Sequence, residues 1–330
     1  MPAPQPSIGA EKSTLQGQVE SLLRTNTVAY QTNRATIEKE GIKLFAMTRL
    51  RLSAALIITS ALAALLALVA FSPTAQAHHS WNKYHWANNM DSDNNGTPDE
   101  FVLKLGNNVS SGWGNYLSYA SSDWSSSSVL NTTVVPGGTT GGTCNPTSGM
   151  VEVCNAAYGQ NGWLGLAQIW IYRPNHIYQG TTKVNDTYFN TPQYNTAAWR
   201  QTVMCQEVGH TFGLDHQDER FNNPNLGTCM DYTNDPDGGA GGASATDPSN
   251  LHPNQHDYDQ LETIYSHIDS FTTVAPASAA STMPPAANRG SFNSRAQWGR
   301  LVEESPNGKL ELWERSFGGE ARMITWVIRP

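Results

Sequence analysis

Short apolar runs separated by turns rich in Ser, Asn, Gly and Pro set the pattern of this 330-residue chain. Phe101-Val102-Leu103-Lys104-Leu105 predicts a strand, and the stretch from Trp113 to Ser126 predicts the first helix. The stretches from Trp163 to Tyr172 and from His176 to Thr187 read as two neighbouring strands split by Arg173-Pro174-Asn175. A helix is expected from Thr196 to Phe212, with Trp199, Val203 and Met204 as packing residues. The glycine-rich stretch from Asn234 to Gly242 suits only a loop. The segment from Asn254 to His267 then places Tyr258, Leu261, Ile264 and Tyr265 on one helical face. Together these elements predict an α+β fold.

After that helix, residues 272–288 are rich in Pro, Ala, Ser and Thr and read as a linker. Three further strands are expected near Leu301–Ser305, Lys309–Trp313 and Met323–Ile328, giving residues 289–330 the look of a small β-rich appendage. About 40 residues form only a marginal unit alone, so docking on the main domain is the other reading.

The amino end is of a different kind. Residues 1–46 are polar without a core pattern and read as an over-extended or disordered segment ahead of Met47. Residues 47–77 resemble a signal peptide: Arg49 and Arg51 precede an apolar run from Leu52 to Phe71, and Ala75-Gln76-Ala77 is an A-x-A cleavage site. Cleavage after Ala77 predicts a secreted protein, with a domain at 78–271; an uncleaved segment is the one membrane contact the sequence offers. No room for a pro-segment lies between His78 and Tyr84. A terminal His78 would also join an amine to an imidazole, a pair that suits copper.

Charge narrows the partners. Only 4 of 28 Asp and Glu but 7 of 20 Lys and Arg precede residue 78, so the rest carries a net charge of −11. That argues against nucleic acid or an anionic membrane held by charge. The four cysteines, all beyond the signal, favour two disulfides among three connectivities. Cys144 with Cys154 would close a short loop, and Cys205 with Cys229 would tie two candidate site segments. Zinc ligation is the rival use of these thiols.

The richest segment is Gln206-Glu207-Val208-Gly209-His210-Thr211-Phe212-Gly213-Leu214-Asp215-His216. On a helix, Gln206 and His210 lie one turn apart on one face, with Glu207 displaced toward the same region. Gly213 breaks the helix where positive φ is cheap, which lets His216 swing back. The stretch resembles the metzincin metalloproteases, whose H-E-x-x-H-x-x-G-x-x-H pattern it matches except at Gln206. Cys229-Met230-Asp231-Tyr232 resembles their methionine turn.

That resemblance implies a twisted mixed sheet, an active-site helix, a Met-turn at Met230 and a closing helix. It implies zinc held by His210 and His216, with Gln206 a weak third donor and Tyr232 a further ligand or oxyanion stabiliser. Glu207 would be the general base of an endopeptidase acting on proteins or peptides. It also implies that one of the two neighbouring strands is a sheet edge along which an extended substrate lies. The alternative is a catalytically inactive metzincin-like protein that binds peptide or protein partners.

Asp91, Asp93, Asn95 and Asp99 resemble the start of a calcium loop, although Val102 stands where a bidentate glutamate belongs. A plain polar turn is the competing reading. His252, His256 and His267 read as surface or packing residues. Oligomeric state is not legible.

Overall fold

The computed structural model describes residues 39, 79–80, 83–173, 175–239, 245–274 and 291–330. The chain divides into two compact units, Met1–Gln76 and Ala77–Pro330, of which the second is described below. The signal-peptide segment 47–77, His78 and nearly all of residues 1–46 lie outside the described residues, as does 275–288 of the expected linker. Among the described residues no helix is long and apolar enough to cross a membrane.

Nine strands of one mixed sheet are described: β1 His85–Trp86, β2 Phe101–Asn108, β3 Leu130–Pro136, β4 Met150–Ala156, β5 Gly165–Tyr172, β6 His176–Asn185, β7 Arg300–Glu304, β8 Leu310–Gly318 and β9 Ala321–Ile328. Their order is β3-β2-β4-β6-β5-β9-β8-β7, with β1 on β6. Strands β2, β3, β4 and β6 run parallel, whereas β5 is antiparallel to both β6 and β9. The helices are α1 Gly114–Trp124, α2 Asp186–Phe189, α3 Ala197–His210, α4 Gln255–Ile264 and α5 Arg295–Trp298.

Local chemistry explains the helix ends. The Thr196 side chain accepts from the Trp199 amide to start α3, and Asn254 and Asp257 form a capping box at α4. The predicted helices and the strands flanking Arg173 are therefore present, within a few residues of their expected ends. Strands β3 and β4 lie in stretches to which the sequence pattern assigned no element.

Both faces of β5 are covered, and the two covers differ. Ala167, Ile169 and Ile171 enter a core shared with Leu117 of α1, Val203 and Val208 of α3 and Leu261 of α4. Leu166 and Trp170 point the other way, into a second core with Trp163, Phe292, Trp298, Met323 and Val327. Such two-sided burial suits a near-continuous apolar strand.

In the segment 289–330, read as an appendage or as docked on the main domain, strands β7, β8 and β9 join the sheet beside β5. Strand β9 alternates Met323 and Val327 toward the second core with Ile324, Trp326 and Ile328 toward the first. A strand apolar on both faces is satisfied only inside a layered sheet, which 40 residues cannot build alone. The same pairing corrects the expected open edge: β5 lies between β6 and β9, and β6 between β4 and β5. Of the expected linker, Thr273 is described, and it exchanges two hydrogen bonds with the Ala87 backbone.

Lys183 of β6 fastens the carboxyl-terminal segment to the outer face. Its buried ammonium donates to Gln168 Oε1 at 2.8 Å, Asn293 Oδ1 at 2.9 Å and the Ser291 carbonyl. Burial pushes its pKa down to about 7 from an ordinary 10.5. Between those values the unfolded chain holds a proton that the folded chain has released, so stability gains from this residue as pH rises. In urea denaturation at about pH 7.5 and about pH 9.5, wild type is expected to gain on Lys183→Met at the higher pH. A pH-independent difference would mean that the folded lysine stays charged.

Candidate metal centre

Helix α3 places Gln206, Glu207 and His210 on its last turns, all fully or almost fully buried. The chain turns at Gly213, whose φ is 91°, and a Cβ there would collide with the Tyr84 carbonyl. Only glycine serves both the left-handed backbone and that close approach. The turn brings His216 back so that its Nε2 lies 3.1 Å from Nε2 of His210.

The tautomer of His210 follows from its other nitrogen. Nδ1 lies 2.9 Å from the Leu214 carbonyl, which can only accept, so Nδ1 carries the proton and Nε2 the lone pair. Burial, then the neighbouring His216, holds the His210 pKa well below its ordinary value, so the ring is neutral. Around His216, Nδ1 faces Asp215 Oδ1 at 3.5 Å and Glu219 Oε1 at 3.6 Å. Carboxylates behind an imidazole are the surroundings that orient a ligating histidine.

Glu207 is the most costly group here. Both carboxylate oxygens are buried without a hydrogen-bond partner, and burial raises its pKa well above the ordinary range. A Cβ on Gly165, the first residue of β5, would collide with Glu207 Oε1, so this glycine makes room for the carboxylate beside the strand. Gln206 Nε2 is likewise buried without a partner.

Met230 lies beneath α3. A Cβ on Gly209 would come within 2.8 Å of its sulfur and 2.5 Å of Trp124, so the missing side chain permits the approach. Cys205 and Cys229 are disulfide-bonded, as are Cys144 and Cys154. The first bridge joins α3 to the residue before Met230 across 24 positions. Replacing both Cys205 and Cys229 by Ala is expected to cost about 3 kcal/mol of loop-closure stabilisation, read as a lower urea midpoint. An unchanged midpoint would mean that packing alone holds the two segments.

Tyr232 is placed differently from the ligand role its position implies. Its buried hydroxyl donates to the Arg329 carbonyl at 3.3 Å, and burial pushes its pKa upward, against a phenolate. In the Asp91 loop, Asp91 accepts from the Asn95 and Gly96 amides, Asp93 from the Asn95 amide and Asp99 from the Ser92 amide. These bonds are those of a polar turn closed on itself.

Trp326 had no signal in the sequence. From β9 its indole stacks on His210, with ring centroids 5.1 Å apart and planes within 6°, and its Nε1 donates to Asp215 Oδ1 at 3.3 Å. His210 is fully buried beneath it. On the His216 side a cavity of 740 Å³ opens, lined in part by Asp215, Glu219, Phe221, Glu303 and Asn307.

No family model matches this chain, and no curated protein does. Among solved structures the chain is similar to High choriolytic enzyme 1, a hatching enzyme zinc-protease from Oryzias latipes (Medaka fish). The identity is 12%, the match covers 56% of this chain and 96% of that one, and the TM-score is 0.29. A TM-score this low carries no weight for fold or activity.

Proposed function

We propose that this chain is a zinc-dependent endopeptidase of metzincin type with a Gln-substituted metal site, held closed in this conformation by its own strand β9. The observation that carries the reading is the 3.1 Å approach of the His210 and His216 Nε2 atoms. Nε2 of His210 bears a lone pair turned toward Nε2 of His216, an arrangement that a divalent cation shared by the two rings would fit. His210 and His216 would hold it, with the Gln206 amide oxygen as the weak third donor.

Bound zinc supplies Lewis-acid chemistry and acidifies water. Glu207 would take a proton from the attacking water and return it to the leaving amine. Asp215 and Glu219 place carboxylate oxygens 3.5 and 3.6 Å from His216 Nδ1, and Met230 packs beneath the helix that carries the site. Two disulfides support export to an oxidising compartment. An extended peptide that adds to the sheet at β5 would need the side that β9 now pairs, so substrate entry there requires β9 to leave it.

A second reading, a peptide-binding protein on an inactive scaffold, is favoured by Gln206 and by the burial of His210. The purified full chain and a His210→Ala/His216→Ala variant, each with and without zinc, would be incubated with a diverse peptide mixture. New termini are read by mass spectrometry. Zinc-dependent cuts absent from the variant are expected. No cuts by either folded protein, together with peptide binding, would replace the first reading by the second.

A further inference from the structure

Three histidines and an aspartate converge away from α3. His85 of β1 and His176, the first residue of β6, are register partners, and the chain beyond α4 brings His267 and Asp269 against them. His85 Nε2 lies 3.1 Å from His267 Nε2 and 3.4 Å from Asp269 Oδ1, and His267 Nε2 lies 3.6 Å from the same oxygen. His176 Nε2 is 3.0 Å from that oxygen.

His85 Nδ1 is 2.8 Å from the Lys83 carbonyl and His176 Nδ1 is 2.5 Å from the Arg173 carbonyl. Both carbonyls accept only, so each Nδ1 donates its proton there and each Nε2 is turned inward, that of His176 donating to Asp269 Oδ1. Asp269 adds a carboxylate whose other oxygen accepts from the Asn88 amide at 2.9 Å. Imidazole nitrogens gathered around the Asp269 carboxylate form a set of donors suited to a divalent cation.

We propose that His85, His267 and Asp269 form a binding site for a zinc-class divalent cation, separate from the His210 centre, with His176 positioning the Asp269 carboxylate. The three donor separations of 3.1, 3.4 and 3.6 Å match the edge of about 3.4 Å in a tetrahedron with bonds of about 2.0–2.1 Å. His85, whose Nδ1–H donates to the Lys83 carbonyl, has the outer support common to ligating histidines. A cavity of 430 Å³ lined by Ser80, Lys83, Gln260, Thr263 and His267 gives an ion a way in.

The site is a structural staple. It ties β1 and β6 to the chain beyond α4, and its neighbours cap the end of α3. Trp86 donates from Nε1 to the Thr211 carbonyl at 2.9 Å, and Tyr265 donates to the Phe212 carbonyl at 2.9 Å.

The test is made in the His210→Ala/His216→Ala full chain, so that the first centre is silent whatever its function. Zinc retained after dialysis is measured by mass spectrometry, cobalt substitution is followed by visible absorption, and the melting temperature is recorded with and without chelator. Adding His267→Ala is the decisive change, because that side chain is 49% exposed and its loss does not open the core. One zinc per chain, a tetrahedral cobalt spectrum and a chelator-induced fall in melting temperature are expected, all lost with His267→Ala. His176→Ala should weaken zinc binding by about 10–100-fold without abolishing it. Equal zinc content with and without His267→Ala, or none in either protein, would overturn the proposal and leave a cluster held by protons.

Discussion

Replacing Glu207 by Gln is expected to lower peptide cleavage by about 10²–10⁴-fold while leaving stability unchanged or raised. The two halves of that result have different causes. Loss of activity follows from loss of the proton carrier, since an amide of the same shape cannot accept and return a proton. Gain of stability follows from burial: Glu207 is wholly inside, neither oxygen has a partner, and its pKa is driven up by desolvation. A group that weakens the fold at its own position is retained for chemistry or for a ligand. Cleavage rate and urea midpoint, measured on the same preparation, separate the roles. A lower midpoint with undiminished cleavage would assign Glu207 to packing instead.

Trp326→Ala is expected to cost about 3–5 kcal/mol and, at the same time, to speed zinc uptake at His210. The indole is almost fully buried, so its removal leaves a large cavity. It is also the lid on His210, stacked on the ring and bonded to Asp215. Trp326→Leu keeps much of the apolar volume while losing the stack and the hydrogen bond, and so guards against simple unfolding. Zinc uptake by stopped-flow with a chromogenic chelator, alongside peptide turnover, tests the cover. Uptake unchanged in both folded variants would show that β9 does not govern access to the site. Faster uptake with greater turnover would support closure by β9 as the brake on hydrolysis, a device the short stretch from His78 to Tyr84 gave no reason to expect.

The site was legible where its parts are close in sequence. Eleven residues from Gln206 to His216 contain the helix end, the Gly213 turn and both imidazoles, and a helical period with one left-handed glycine fixes their relation. The bridge between Cys205 and Cys229 belongs to one of three connectivities open to four cysteines, and it formed. His267 was read as surface because a lone histidine at the end of an amphipathic helix carries no local sign of partners. Its neighbours come from β1 and β6, more than 80 residues earlier.

The sequence by itself therefore determined the local elements and the spacing of the His210 centre, because caps, turns and helical periodicity act over a few residues. Tertiary structure alone decided which strands became neighbours. Strand β9 reads as a short apolar strand, and nothing in it specifies β5 as its partner; any apolar strand with two faces to cover would satisfy it equally. The choice rests on burying Leu166 and Trp170 beneath Phe292, Met323 and Val327. That one pairing put Trp326 over His210 and closed the sheet edge, while the β1–β6 register and the end of α4 assembled the second histidine cluster. Long-range burial, with no short-range signal, set both outcomes.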